Sequence, residues 1–132
     1  MAKTDTFQVS VITPERAVLE TPASFVAFPA HDGEVGILRN HAPFLYKLGA
    51  GELRVEGPEG KQALFIDGGF AQMVDNRLTL LTEQAKTLDQ IDRAAAERAL
   101  AEARAMKITD DASFKARQRA VKSAQEQIRL AS

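Results

Sequence analysis

The sequence predicts an all-β sandwich, or flattened barrel, followed by an α-helical antiparallel hairpin. All eight glycines, all five prolines and every aromatic residue but one lie before Thr87. Seven alanines fall between Ile91 and Met106, and a basic segment follows them. Glycine, proline and aromatic residues suit strands and tight turns, whereas alanine with long charged side chains suits helices. We therefore expect a β-domain over residues 1–84 and a helical hairpin over residues 85–132.

The β-domain contains about eight to ten short segments with the pattern of strands. Residues 7–11 alternate apolar and polar side chains with a period of two, as in a half-buried strand. The pair Thr21-Pro22 is expected to separate two further strands, because proline cannot donate to a ladder. Asp75-Asn76 lies between two apolar segments, and both residues tolerate the positive φ of a tight hairpin. Short strands at this spacing are typical of a sandwich.

Two helices are expected in the hairpin. Asp89 or Asp92 begins the first, and Thr109-Asp110-Asp111 forms the turn and offers caps for the second. The seam between them is predicted from spacings of three and four to contain Leu88, Ile91, Ala95, Ala99, Ala103 and Met106, with Phe114, Arg117, Val121, Ala124, Ile128 and Ala131 opposite. Arg117 is the one charged residue of this predicted apolar seam, and its charged head is expected to lie in water. Alanines bury few methylenes, so the hairpin is either a weakly docked moving part or a permanently docked element.

The net charge of −1 is unevenly distributed. Seven Lys/Arg and eleven Asp/Glu through residue 84 give −4, and ten against seven in the rest give +3. The basic side chains of the second helix are Lys115, Arg117, Arg119, Lys122 and Arg129. Such a helix is a solvated face, a surface for an acidic partner, or a nucleic-acid contact in which Phe114 stacks on bases. The acidic body argues against nucleic acid.

Independent catalysis is not expected. There is no cysteine, no nucleophile elbow and no phosphate-binding loop of the Gly-Lys-Ser/Thr kind. His31, Asp32, Glu34 and His41 are metal-ligand types, but their spacing matches no compact metal site. Because the chain shows neither a secretory signal nor an apolar run long enough to cross a membrane, a soluble protein that docks on a complex is the simplest interpretation.

Three ordered blocks resemble the epsilon subunit of the F-type ATP synthase, which is called delta in mitochondria. Residues 7–16 are similar to the family's first strand and turn, and residues 32–43 to its most specific block. Residues 67–71 are similar to a third block, and Ile91-Asp92 begins the family's helical motif. The likeness runs from about residue 7 to the carboxyl end, and it is looser in the hairpin.

This resemblance implies a non-catalytic central-stalk subunit of the proton-translocating enzyme, peripheral to the inner cell membrane on its cytoplasmic side. The sandwich would grip the gamma subunit and rest on the c ring, with Asp32, Gly33, Glu34 and His41 on the side of the ring. The basic residues of the second helix would approach the alpha and beta catalytic subunits and inhibit ATP hydrolysis.

Regulatory ATP is not expected as a cofactor. Family members that bind it carry Ile/Leu-Asp-x-x-Arg-Ala, whereas Ile91-Asp92 is followed here by Arg93 and three alanines. Arg93 is two positions early, about 200° around the helix. Ser123 and Gln127 stand near the places of the family's paired arginines. The alternatives to a stalk subunit are a free-standing β-sandwich adaptor and a nucleic-acid-binding module with a basic helical tail.

Overall fold

The computed structural model describes residues 6–131, which fold into two five-stranded sheets and two helices. The strands are β1 (Phe7–Ile12), β2 (Ala17–Ala23), β3 (Phe25–Ala30), β4 (Gly33–Leu38), β5 (Phe44–Lys47), β6 (Ala50–Gly57), β7 (Gly60–Asp67), β8 (Phe70–Val74), β9 (Arg77–Leu81) and β10 (Gln84–Thr87). A 3₁₀ turn at Leu88–Gln90 leads to α1 (Arg93–Arg104) and α2 (Asp111–Leu130). The predicted β-sandwich with a helical hairpin is confirmed.

The two sheets pack face to face around one apolar core. The first sheet has the order β2-β1-β9-β8-β5, and the second has the order β10-β7-β6-β3-β4. Strands β1 and β9 run parallel, whereas the other ladders are antiparallel. The largest fully buried side chains of this core are Phe28, Ile37, Leu53, Ile66, Met73, Leu78 and Leu80. Strand β10 belongs to the second sheet, which therefore extends to Thr87, three residues past the predicted boundary.

Strand β2 differs from the prediction. Thr21-Pro22 was expected to end a strand, but β2 continues through both residues to Ala23, and Pro22 lies opposite Gln8. The first sheet ends at β2, so a residue without an N–H group is tolerated there.

Two tight turns set the ends of β8. Asp75 and Asn76 have φ values of 51° and 59° in the turn to β9, which confirms the predicted hairpin. Gly69, before β8, has a φ of 98°, and a Cβ atom there would lie 1.8 Å from the carbonyl oxygen of Leu81. Only glycine fits this close approach of the two chains.

The helices begin where their capping residues predict. The Asp92 carboxylate accepts a hydrogen bond from the Ala95 amide at 3.0 Å, and the Asp110 carboxylate accepts one from the Ser113 amide at 2.8 Å. The Ser113 amide is the main reason that the pKa of Asp110 is lowered.

The predicted seam of the hairpin is partly wrong. Ala96, Ala103 and Ala124 are buried, whereas Ala99, Met106 and Phe114 are exposed. Helix α2 packs against β6 and β7 as well as against α1, so the inward faces are set by two neighbours and not by a two-helix seam alone. The head of Arg117 is in an exposed position and also has a protein partner. It donates a hydrogen bond to the Arg104 carbonyl at 3.1 Å and so caps the end of α1.

Candidate functional surfaces

The turn between β3 and β4 is a small, acidic and exposed site. Asp32 lies 4.0 Å from the His31 ring nitrogen, and Glu34 accepts a hydrogen bond from the Arg54 guanidinium at 3.1 Å. Gly33, between the two acids, has a φ of 140° that other residues rarely adopt. The turn is therefore fixed by its backbone and by one ion pair, and its carboxylates face solvent.

His41 lies at the opposite end of β4 from this turn. Its ring packs edge-on against Phe44, with centroids 5.1 Å apart. The neighbouring Asn40 joins the β8–β9 turn through a mutual pair of hydrogen bonds with Asn76. Because a strand rises about 3.3 Å per residue, β4 separates Glu34 from the end of the strand by about 13 Å. The structure brings Asp32, Gly33 and Glu34 together and does not bring His41 to them.

The outer face of the first sheet carries an exposed apolar patch that the sequence analysis missed. Phe70 and Leu81 are directly opposite each other on β8 and β9, and they are 50% and 52% exposed. Leu45 and Val74 extend the patch along β5 and β8. A clustered apolar surface of this kind marks an interaction site. The signal in the sequence was Phe70 itself, a large apolar residue out of phase with the buried Ala71 and Met73.

The outer face of the second sheet is covered instead by the hairpin. Phe65 on β7 is completely buried there, under Ile91 and the end of α2. The other members of this second cluster are Ala50, Leu88, Leu130 and Ala131. The hairpin is thus folded back on the sandwich.

The basic side chains of α2 are in different environments. Arg117 caps α1, and Lys122 and Arg129 both pair with Glu126, at 3.4 and 2.8 Å. Burial alone would raise the pKa of Glu126, but hydrogen bonds and charge from Arg129 and Lys122 outweigh it and lower that pKa. The same contact raises the pKa of Arg129. Lys115 and Arg119 remain exposed.

The region of the helical motif shows how the structure uses Asp92 and Gln127. Asp92 caps α1, and Gln127 accepts a hydrogen bond from the Lys86 ammonium at 3.2 Å. Gln127 also lines a cleft of about 360 Å³, and the other residues of its lining are Asp67, Glu83, Ala99, Arg119, Ala120, Ser123 and Ala124. This cleft does not favour binding of a triphosphate, because its two carboxylates repel phosphate and only one guanidinium attracts it.

Within residues 6–131 no group of three or more metal-ligand side chains is close enough to hold an ion. Neither described helix is long and apolar enough to span a membrane.

Comparison with known proteins identifies the family. The sequence model of the family "ATP synthase, Delta/Epsilon chain, beta-sandwich domain" matches residues 6–87. The chain belongs to this family. An ATP synthase epsilon chain of Rhodopirellula baltica is 40% identical over 90% of this chain and 93% of the relative. A sodium-ion-specific epsilon chain of Propionigenium modestum is 30% identical over 96% and 93%.

Solved structures agree with this assignment. A chain of the Euglena gracilis mitochondrial ATP synthase, in an OSCP/F1/c-ring assembly, matches with a TM-score of 0.79 and 27% identity, over 92% of this chain and 79% of that chain. A chain of the Tetrahymena thermophila central stalk and c ring shares the fold, with a TM-score of 0.63 and 18% identity. The protein is a rotor-stalk subunit of the F-type ATP synthase and is not catalytic on its own.

Proposed function

We propose that the protein couples proton-driven rotation of the c ring to the gamma subunit, on the cytoplasmic side of the inner cell membrane, through the exposed face of its first sheet. The observation that carries this proposal is the asymmetry of the sandwich. One outer face is covered by the chain's own hairpin, whereas the other presents Phe70 and Leu81 to solvent. Aromatic side chains such as phenylalanine are enriched at interfaces, and a few side chains near the centre supply most of the binding energy. Gamma is the partner because the chain belongs to a stalk family.

Replacement of the patch tests gamma binding. Phe70→Ala with Leu81→Ala should weaken binding to purified gamma by about tenfold or more, since truncated anchors cost about 2 kcal/mol. Leu38→Ala is the matched control, because Leu38 is 62% exposed but lies on β4 in the second sheet. Equal losses in the control and the patch variant would place gamma elsewhere, as would unchanged binding in the patch variant.

The turn at residues 32–34 is proposed as the contact with the c ring. Its carboxylates are exposed and the Glu34–Arg54 pair is a surface ion pair, which contributes little to stability. His41, at the other end of β4, would then contact a different part of the complex. Glu34→Ala should reduce attachment to the ring with little change in melting temperature, whereas His41→Ala should not reduce ring attachment. Equal effects of the two variants on ring attachment would contradict this division.

The hairpin is proposed to restrain ATP hydrolysis when it leaves the sandwich and reaches the alpha and beta subunits. Lys115 and Arg119 are already exposed, and Lys122, Arg129 and Arg117 become available only if their present contacts break. Deletion of residues 108–132 should raise the ATPase rate of the catalytic head, more at low salt than at high salt. An unchanged rate at every salt concentration would leave the hairpin a structural element.

Regulation by ATP is not part of this proposal. The cleft beside Ser123 and Gln127 offers one arginine and two carboxylates, which supports weak or no affinity for the nucleotide. Titration of the full chain with ATP, followed by the amide resonances of residues 119–127, tests this directly. Saturable binding at cellular ATP concentrations would overturn it.

A further inference from the structure

Strand β4 is an unprotected edge of the second sheet. The two sheets end at four strands, which are β2, β4, β5 and β10. Folded proteins protect such edges against pairing with other chains by proline, by lysine or by very short strands. Strand β2 contains Pro22, and β5 and β10 have only four residues each, including Lys47 and Lys86. Of the four edges described in residues 6–131, β4 alone has six residues with neither proline nor lysine.

Three residues of β4 direct their N–H and C=O groups away from the sheet. The Pro29 carbonyl accepts a hydrogen bond from the Gly49 amide at 2.9 Å, so Pro29 directs its backbone away from β4. Backbone direction alternates along a strand, and the hydrogen bonds to β4 therefore come from the residues of β3 on either side of Pro29. Glu34 lies opposite Pro29, so its own backbone points outward. Every second residue of β4 repeats this direction, which adds Gly36 and Leu38.

The same three residues present the side chains that an added strand would meet. Ile37, between two of them, is completely buried in the core, so their side chains lie on the outer face of the sheet. Glu34 is near one end of β4, and Leu38, which is 62% exposed, is at the other. Gly36 has no side chain, and an added Cβ atom there would lie 3.2 Å from the ring of Phe25. Strand β4 therefore offers an acidic and an apolar side chain four residues apart.

We propose that β4 accepts an extended segment of a partner protein as a sixth strand of the second sheet. The segment runs antiparallel to β4, which is the more stable pairing per residue, and carries a basic side chain opposite Glu34 and an apolar side chain opposite Leu38. Main-chain hydrogen bonds supply the affinity of strand addition, and alternate side chains supply its specificity. Opposite charges placed directly across two strands add to the stability of the pair.

The acidic end of β4 makes a basic residue the suitable neighbour. Asp32 and Glu34 flank Gly33 where β4 begins, and both acids are exposed. Arg54 lies 3.1 Å from Glu34, and His31 lies 4.0 Å from Asp32 and is positive only when protonated. Both contacts are at the surface, where ion pairs are weak. Within residues 6–131 one permanent cation is thus at ion-pair distance from these two carboxylates, which leaves negative charge for a lysine or arginine of the partner.

A second copy of the chain is a poorer occupant of this edge. Antiparallel pairing of two β4 strands about Gly36 would place Glu34 of each copy opposite Leu38 of the other. This arrangement forfeits both favourable cross-strand pairs. Glu34 is also proposed to contact the c ring, but the strand-addition site is defined by the backbone of β4 and is tested on the chain alone. Its failure would therefore leave the rotor function untouched.

Binding is tested with the full chain and a capped synthetic peptide, Thr-Ile-Val-Thr-Val-Lys-Thr, as the probe. In the proposed pairing its isoleucine lies opposite Leu38, its central threonine opposite Gly36 and its lysine opposite Glu34. The amide resonances of these three residues should shift saturably, because their N–H groups gain hydrogen-bond partners. Absence of saturable shifts, or saturable shifts confined to residues outside β4, would refute the site.

Methylated peptides test whether the backbone forms the contact. N-methylation of the central threonine removes an N–H group that faces β4, and it should weaken binding by about fivefold or more, the effect of one lost hydrogen bond. N-methylation of the valine before it is the matched control, because that N–H group faces away from β4. Equal losses in the two methylated peptides would show that the peptide does not bind as a strand in this register.

Variants of the chain test the same edge from the other side. Gly36→Pro removes the outward N–H group, and proline is tolerated on an edge strand where that group faces solvent. Gly36→Ala is the matched control, because it adds the same Cβ atom beside Phe25 and keeps the N–H group. The peptide should bind the alanine variant and not the proline variant. Equal binding to both variants would overturn the proposal.

The side-chain pattern is tested without altering the backbone. Glu34→Lys should reverse the preference of the chain, so that a peptide with glutamate in place of lysine binds better than the original peptide. An unchanged preference would refute the predicted basic residue. Sedimentation of the native chain over a range of concentrations tests the other occupant. Self-association that Gly36→Pro removes and Gly36→Ala does not would identify a second copy as the occupant and overturn the proposal.

Discussion

The two outer faces of the sandwich each present a phenylalanine, but the two residues have opposite environments. Phe65 on the second sheet is completely buried under Ile91, Leu130 and Ala131. Phe70 on the first sheet is 50% exposed. The hairpin follows the sandwich from Leu88 over 45 residues. It packs its apolar residues on the outer face of the second sheet and leaves the outer face of the first sheet uncovered. The difference separates a face that stabilises the chain from a face that is available to a partner.

The comparison also explains the composition of the hairpin. Within the described residues, its apolar contact with the sandwich comes from a few side chains near its two ends, and the remainder of α1 and α2 is rich in alanine, charged and amide side chains. Each buried methylene contributes about 0.8 kcal/mol, so an alanine-rich interface is weaker than a leucine-rich one. A hairpin held by such an interface can detach from the second sheet at a low cost in free energy.

The largest expected effect comes from exchanging the two phenylalanines for alanine. Phe65→Ala should lower the free energy of unfolding by about 3–5 kcal/mol, because it leaves a cavity under the hairpin. Phe70→Ala should change it by about 0.5 kcal/mol or less, because the ring is already half in water. Urea denaturation of both variants checks this. Similar losses would mean that the two faces do not differ as described.

Removal of the hairpin sharpens the comparison. A chain ending at Thr87 keeps all ten strands and the whole core between the sheets, so it should still unfold in one cooperative transition. It should lose about 1.5–3 kcal/mol from the exposure of Phe65, and the newly exposed face should promote self-association. Denaturation and sedimentation of residues 1–87 measure both effects. Non-cooperative unfolding would show that the sandwich depends on its hairpin.

Local features of this fold could be predicted from the sequence. Strand alternation, the Asp75-Asn76 turn, and the caps at Asp92 and Asp110 depend on neighbouring residues only, and all appear in the structure. The sequence blocks that resemble the family also predicted the order of the two domains and the position of the acidic turn. In β7 the unbroken apolar run at residues 63–66 also indicated, in retrospect, a strand covered on both faces.

Features that depend on distant partners could not be predicted. Pro22 remains in β2 because that strand ends a sheet, which requires the strand order. The seam of the hairpin shifted because β6 and β7 also contact α2. The separation of Glu34 from His41 depends on β4 running the length of the sandwich between them. In each case the missing information was the register or packing of elements far apart in sequence.

The smallest expected effect concerns the polar side of the hairpin contact. The Glu126 side chain is 15% exposed and lies over Gly51, where an added Cβ atom would be 3.6 Å from its carboxylate. The pKa of Glu126 is lowered in the folded chain, because Arg129 and Lys122 outweigh the effect of burial. A lowered pKa means that its contribution to stability is fully present above the ordinary glutamate pKa of about 4.3, and is lost as the pH falls through the folded value.

Glu126→Gln should therefore reduce the free energy of unfolding at pH 7 by less than about 1 kcal/mol, since Lys122 and Arg129 are mostly exposed. The difference from the native chain should disappear as the pH falls through the lowered pKa of Glu126, where the native carboxylate gains its proton. The pKa of Asp110 is also lowered, but Asp110 is present in both chains. The stability that it contributes is therefore lost equally in acid and cancels in the difference between the two chains. Urea midpoints between pH 3 and pH 7 measure this. A difference that persists or grows in acid would mean that Glu126 supports the contact by shape and not by charge, and the hairpin would then be fastened on both sides by packing alone.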